Sequence, residues 1–171
     1  MRRLILAAAL AACVMACRKK DGPATIEGPI EMQSGIRAAD PRVAVQFVKG
    51  FHQVEAGAWR WAARSFAVTL KVPRGANATG ATLKLDIAVP EPVIQKLGAT
   101  TLKARIGTTD LEPETFATHG NASYAREVPA AALASDVVLV EFSCDKFFEA
   151  GTVDQRELAM IVSGVSLTAK K

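Results

Sequence analysis

The sequence predicts an all-β fold: a two-layer antiparallel β-sandwich with one or two short helices. Three observations predict it. Apolar residues recur with a period of two over several stretches of the chain. Turn-forming clusters separate those stretches. Only two short segments carry helix signals, which leaves the sheets to build the core.

The alternation is plain in three places. Phe66, Val68, Leu70 and Val72 alternate with Ser65, Ala67, Thr69 and Lys71. Leu83, Leu85, Ile87 and Val89 alternate with Thr82, Lys84, Asp86 and Ala88. Leu102, Ala104 and Ile106 alternate with Thr101, Lys103 and Arg105. Each reads as a strand with one wet face. Val137–Phe142 is apolar at nearly every position, so burial on both faces is expected. Leu158–Leu167 changes phase halfway, with Gly164 at the slip, where a β-bulge would absorb one residue. Weaker strands are expected at Val43–Val48, Gln53–Arg64 and Ala122–Val128. Pro92–Leu97, followed by Gly98, and the alanine-rich Pro129–Ala134 are the helix candidates. Turns are expected at Arg74–Gly80 and Gly107–Asp110. Seven or eight strands at this spacing suit a sandwich.

The first residues carry an address. Arg2 and Arg3 precede the apolar run Leu4–Ala12, and small residues precede two cysteines, Cys13 and Cys17. That is the layout of a secretory signal, and the run is too short for a permanent membrane helix. The cysteine at the cut site makes it resemble the signal peptides of bacterial lipoproteins. That resemblance implies acylation of Cys17, with Cys13 as the alternative. Several acyl chains, at about 0.8 kcal/mol per buried methylene, anchor firmly where one does not. The expected organisation is a signal peptide over 1–16, a flexible linker over 17–42 and the β-sandwich over 43–171. The linker is marked by Gly22-Pro23, Gly28-Pro29 and Asp40-Pro41. The expected location is the periplasmic face of a bacterial membrane. Arg18 rather than aspartate after Cys17 resembles lipoproteins sorted to the outer one.

The formal charge of +4 is mild and halves when Arg2 and Arg3 leave with the signal. That is no nucleic-acid footprint, and no nucleic-acid partner is expected. Arg18-Lys19-Lys20 suits anionic headgroups or a solvated tether equally well. Cys144 has no internal partner once Cys17 is acylated, and reads as a small buried hydrophobe.

The segment from about Phe47 to Leu167 resembles a bacterial β-sandwich domain of the jelly-roll, galactose-binding type. The matching residues are Gly50-Phe51-His52-Gln53-Val54-Glu55, Trp59-Arg60-Trp61, Ile94-Gln95-Lys96-Leu97-Gly98 and Asp154-Gln155-Arg156-Glu157-Leu158. Ala159 stands where that pattern has glycine. The resemblance implies sugar binding or a structural accessory role, with no chemistry of its own.

Site candidates are few. Trp59 and Trp61 share a face of an extended strand, with Arg60 on the other. They form either a stacking platform for sugar rings or a plug in the core. Asp154, Arg156 and Glu157 gather at a strand entrance, where they could bind hydroxyls, seat calcium or simply fix a turn. Asp110, Glu112 and Glu114 alternate, but Pro113 argues for a loop or edge. The two histidines, His52 and His119, have no zinc spacing, and no nucleophile elbow or phosphate loop is present. The expectation is therefore a non-catalytic protein without metal or cofactor. Its partners would be the membrane, through its lipid, and a glycan. The alternative is a structural or protein-interaction lipoprotein that docks an envelope protein and takes no small ligand.

Overall fold

The computed structural model describes residues 31–151 and 154–171. The signal segment, both candidate acylation cysteines and most of the expected linker lie outside the described residues.

The described residues form nine strands. They are β1 (Gly35–Arg37), β2 (Phe47–Glu55), β3 (Trp59–Lys71), β4 (Ala81–Val89), β5 (Thr100–Ile106), β6 (Thr109–Phe116), β7 (Gly120–Val128), β8 (Val137–Cys144) and β9 (Met160–Ala169). Two short helices, α1 (Ala76–Thr79) and α2 (Glu91–Leu97), and two 3₁₀ turns complete it. Every strand pair is antiparallel.

One long strand makes the sandwich. In β3, Arg60–Ala62 pair with β9, whereas Ser65–Lys71 pair with β8. The strand thus leaves one layer, β7-β4-β9, and enters the other, β6-β5-β8. Where β3 departs, β1 takes its place beside β9, and β2 runs along the remaining side of β3. Side chains stitch the opposite margin. Tyr124 Oη and Arg126 Nε both donate to the Glu112 carbonyl at 2.8 Å, and Arg126 Nη2 donates to Pro113 O at 2.9 Å. Alternate residues of both layers fill a single core. At its centre Phe66 stacks on Phe142 with centroids 4.9 Å apart.

The fold class stands as expected, and several details differ. Gly35–Arg37, placed in the linker by the sequence, pair with β9, and Ile36 and Ala38 are buried. The folded body therefore begins before Val43. Pro41–Gln46 is a 3₁₀ turn rather than a strand. Asp40 caps it by accepting from Arg42 N at 3.0 Å, and proline suits its first position. Gln46 then buries its amide, which donates to Gln33 O and Thr69 O. The expected strand Gln53–Arg64 is a hairpin, because Ala56 and Gly57 both take positive φ, +50° and +61°. That is the type I′ geometry of a two-residue turn, closed by Ala58 N donating to Glu55 O at 3.1 Å. β8 buries only alternate residues; Val137 and Leu139 face outward. The acidic Asp110–Glu114 stretch is strand, not loop, with its prolyl residue on the edge strand β6. The phase slip at Gly164 is real: Asp86 pairs with Gly164 and Ile87 with Val162, leaving Ser163 as the extra residue.

Candidate functional site

The β2–β3 hairpin carries the two tryptophans. Odd residues at the start of β3 point outward, because Ala62 is buried on the inner side. Trp59 and Trp61 therefore sit on the outer face, half-buried, and neither belongs to the core cluster. Their rings meet edge to face, with centroids 6.3 Å apart and planes at 80°. This geometry suits the quadrupoles of the two indoles and leaves ring surface open on both. Arg60 points the other way. Its Nε donates to Ala38 O at 3.0 Å and its Nη1 to His52 O at 3.1 Å, with the guanidinium 5.2 Å from the Phe47 ring. Partial burial lowers its pKa. Arg60 is thus a clamp that fixes the strand behind the indoles.

The surface beside the platform follows from strand register. Trp61 pairs with Ile161, Ile161 with Ala88, and Ala88 with Asn121. The row runs from an indole across a short apolar strip to an amide. The next outward positions are polar: Asp86 pairs with Ser123, and Lys84 with Ser166. Lys84 Nζ lies 2.8 Å from Asp86 Oδ1, and Ser163 Oγ donates to Asp86 O at 3.3 Å. An aromatic end followed by hydroxyls and amides offers both stacking and hydrogen bonding.

The ion cluster reaches this face through a residue that the sequence reading missed. Glu55 is the cross-strand partner of Trp59, and such partners share a face. Arg156 Nη1 donates to Glu55 Oε1 at 2.6 Å. Arg156 Nε and Nη2 also donate to the two Asp154 oxygens at 3.0 and 2.9 Å, and Asp154 Oδ1 accepts from Arg156 N at 2.9 Å. Asp154 and Arg156 thus fix a turn, and the turn holds a guanidinium against the hairpin. The Arg156 hydrogen bonds hold the Asp154 carboxyl down at about 2, and both carboxylates raise the pKa of Arg156. Arg156 keeps unspent N–H donors and is about one-third exposed.

Glu157 is placed differently. Its Oε1 accepts from Arg64 N at 2.6 Å, and its carbonyl lies 2.8 Å from His52 Nε2, which donates to it. It fills the gap where β3 leaves β9, so its carboxylate serves the strand rather than the surface. Of the five residues drawn from the sequence, Trp59 and Trp61 meet each other, and Arg156 joins their hairpin only through Glu55. Asp154 supports Arg156, and Glu157 is structural. The only cue to Glu55 was its hairpin position, because the Arg156 contact spans 101 positions.

Cys144 is buried, and burial pushes its thiol up to about 12. Among the described residues no three His, Cys, Asp or Glu side chains are grouped to hold a metal ion. No helix among them is long and apolar enough to cross a membrane.

No protein-family model matches the chain, and no curated protein matches it. Among solved structures it is similar to TmCBM27, a carbohydrate-binding module studied for specific mannan recognition. The identity is 12% and the TM-score 0.48, over 82% of this chain and 98% of that one. It is also similar to a CBM4 module, with 14% identity and a TM-score of 0.35, over 80% of this chain and 85% of that one. At such identities no residue role transfers. The strand pairing by itself defines the class: an antiparallel two-layer β-sandwich.

Proposed function

We propose that the chain is a non-catalytic, lipid-anchored cell-envelope protein that binds carbohydrate on the Trp59–Trp61 face. One observation carries the reading. The only two tryptophans of the chain stand outside the core, half-exposed and edge to face, beside a polar sheet surface. Large aromatics are normally spent on packing, where they contribute most to stability. Keeping both outside the core suits a ligand with apolar ring faces and polar edges, which describes a sugar. Arg156 and Glu55 supply a donor and an acceptor at the rim.

The anchor rests on the lipobox-like sequence before Cys17. The same leader supports the periplasmic side of the envelope, with the outer membrane favoured by Arg18. Mass spectrometry of the N-terminal peptide tests it: acylated Cys17 supports the anchor, and an unmodified cysteine removes it.

Glycan-array binding tests the ligand. Trp59→Ala should fold and lose binding by at least about tenfold, the scale of one central aromatic contact. Absence of binding to every neutral and envelope glycan would overturn the proposal. A second reading, docking of an envelope protein, draws on the exposed Val45, Val48, Val137 and Leu139. Cross-linking from Leu139 in the native envelope separates the two.

A further inference from the structure

The opposite face of the sandwich carries a groove of about 290 Å³ that owes nothing to the tryptophans. Its floor is set by register. Lys49 pairs with Ala67, Ala67 with Glu141, Glu141 with Arg105, and Arg105 with Asp110, so these residues line one outward row. In the next row Ser65 pairs with Ser143, and Ser143 with Lys103. Ala67 faces outward yet is only 4% exposed, because longer side chains rise around it. Small residues on the floor and long charged ones at the walls make the concavity.

The walls hold unspent polar groups. Arg105 is committed to Asp110, at 2.6 and 3.2 Å, and the guanidinium keeps that carboxyl below its ordinary value. The side chains of Lys49, Lys103, Glu141, Ser65 and Ser143 make no hydrogen bond or ion pair among the described residues. Five idle polar side chains, drawn from strands β2, β3, β5 and β8, thus converge on one depression. Glu141 and Lys103 act on the Arg105–Asp110 pair by charge alone, with no hydrogen bond to it.

We infer that this groove is a second binding site, for an acidic sugar unit of the uronate class. Two ammonium groups, on Lys49 and Lys103, suit a carboxylate. Glu141 and the two serines suit hydroxyls, which donate to a carboxylate and exchange hydrogen bonds with a serine. A polyanion without hydroxyls would gain the lysines and be repelled by Glu141. The site needs no stacking partner and stands independently of the tryptophan face.

The sign of one substitution tests this. Calorimetry of the purified full chain with short galacturonate and mannuronate oligomers, at 0.15 M salt, is the measurement. Exposed long-range charge effects are screened beyond about 8 Å there. Lys49→Gln and Lys103→Gln should each weaken uronate binding roughly tenfold, the scale of one charge-assisted hydrogen bond. Glu141→Gln should also weaken it, whereas a purely Coulombic patch would bind more tightly on losing that charge. In wild-type protein, amide NMR shifts on titration should centre on Ala67 and Ser143, not on Ile161. Tighter binding by Glu141→Gln, equal binding of dextran sulfate, or no uronate binding would each overturn the proposal.

Discussion

Gly50 marks where β2 presses hardest on β3, and replacing it with alanine measures that contact. Gly50 has φ +73°, and a Cβ there would stand 2.1 Å from Ser65 O, 2.8 Å from Phe66 Cα and 2.9 Å from Phe66 Cβ. Two costs add. A left-handed backbone costs an L-residue about 1 kcal/mol or slightly more. The clash falls on backbone atoms that cannot swing aside, so β2 must lift from β3 by on the order of 1 Å to restore van der Waals contact. Lifting β2 loosens Phe51 from Phe66, whose rings now meet at 5.3 Å. Losing about half of what a buried phenylalanine contributes gives roughly 2 kcal/mol. Gly50→Ala should therefore cost about 3 kcal/mol. Gly57 is the control: its φ is +61°, but nothing lies within 4 Å of a Cβ there. Gly57→Ala should cost only the backbone share, about 1 kcal/mol. Urea unfolding of both variants, with midpoints and slopes compared, gives the two numbers. Losses within about 0.5 kcal/mol of each other would refute the close approach, since that is the scatter of ordinary surface changes.

Four further outcomes follow from the same geometry. Ala56 holds φ +50° in the hairpin turn, so Ala56→Asn should raise stability by about 0.5–1 kcal/mol in the same unfolding assay. Tyr124→Phe removes the hydrogen bond to Glu112 O across the β6–β7 margin and should cost about 1 kcal/mol. Cys144 should resist thiol reagents at pH 8 until the protein is unfolded; its raised folded pKa means stability present below pH 9 is lost as pH climbs towards about 12. Asp154 works in the opposite direction. Its carboxyl is held at about 2 against an ordinary 3.8, so its contribution is present above that ordinary value and is lost as pH falls through about 2. Unfolding midpoints of Asp154→Asn and wild type should therefore differ most at neutral pH and converge at low pH.

The sequence was most legible where one face of a strand is buried. Leu83–Val89 and Leu102–Ile106 show the alternation of their buried sides directly. The phase slip at Gly164 located a bulge, because a single extra residue flips every later side chain. Legibility failed where local conformation departs from residue preference. Ala56 gives no turn signal because alanine rarely takes a left-handed backbone, so one hairpin was read as a single strand. Val43 and Val45 mimic alternation, yet Val45 is 56% exposed and the segment is a 3₁₀ turn. Proline and three acids hid β6, where Asp110 is held by Arg105 and Glu114 by Arg126. The site was half legible for a similar reason. Trp59 and Trp61 lie on one strand and declare their shared face. Glu55 and Arg156 meet only after folding, and the Lys49–Lys103–Glu141 groove is assembled from five strands.

Intrinsic fluorescence tests the central claim most directly, because both tryptophans of the chain stand on the proposed platform. Titration with neutral oligosaccharides should give a saturable change in indole emission, with Trp59→Ala and Trp61→Ala each weakening it by at least about tenfold. Binding detected by calorimetry with no change in emission would place the ligand elsewhere and contradict the account.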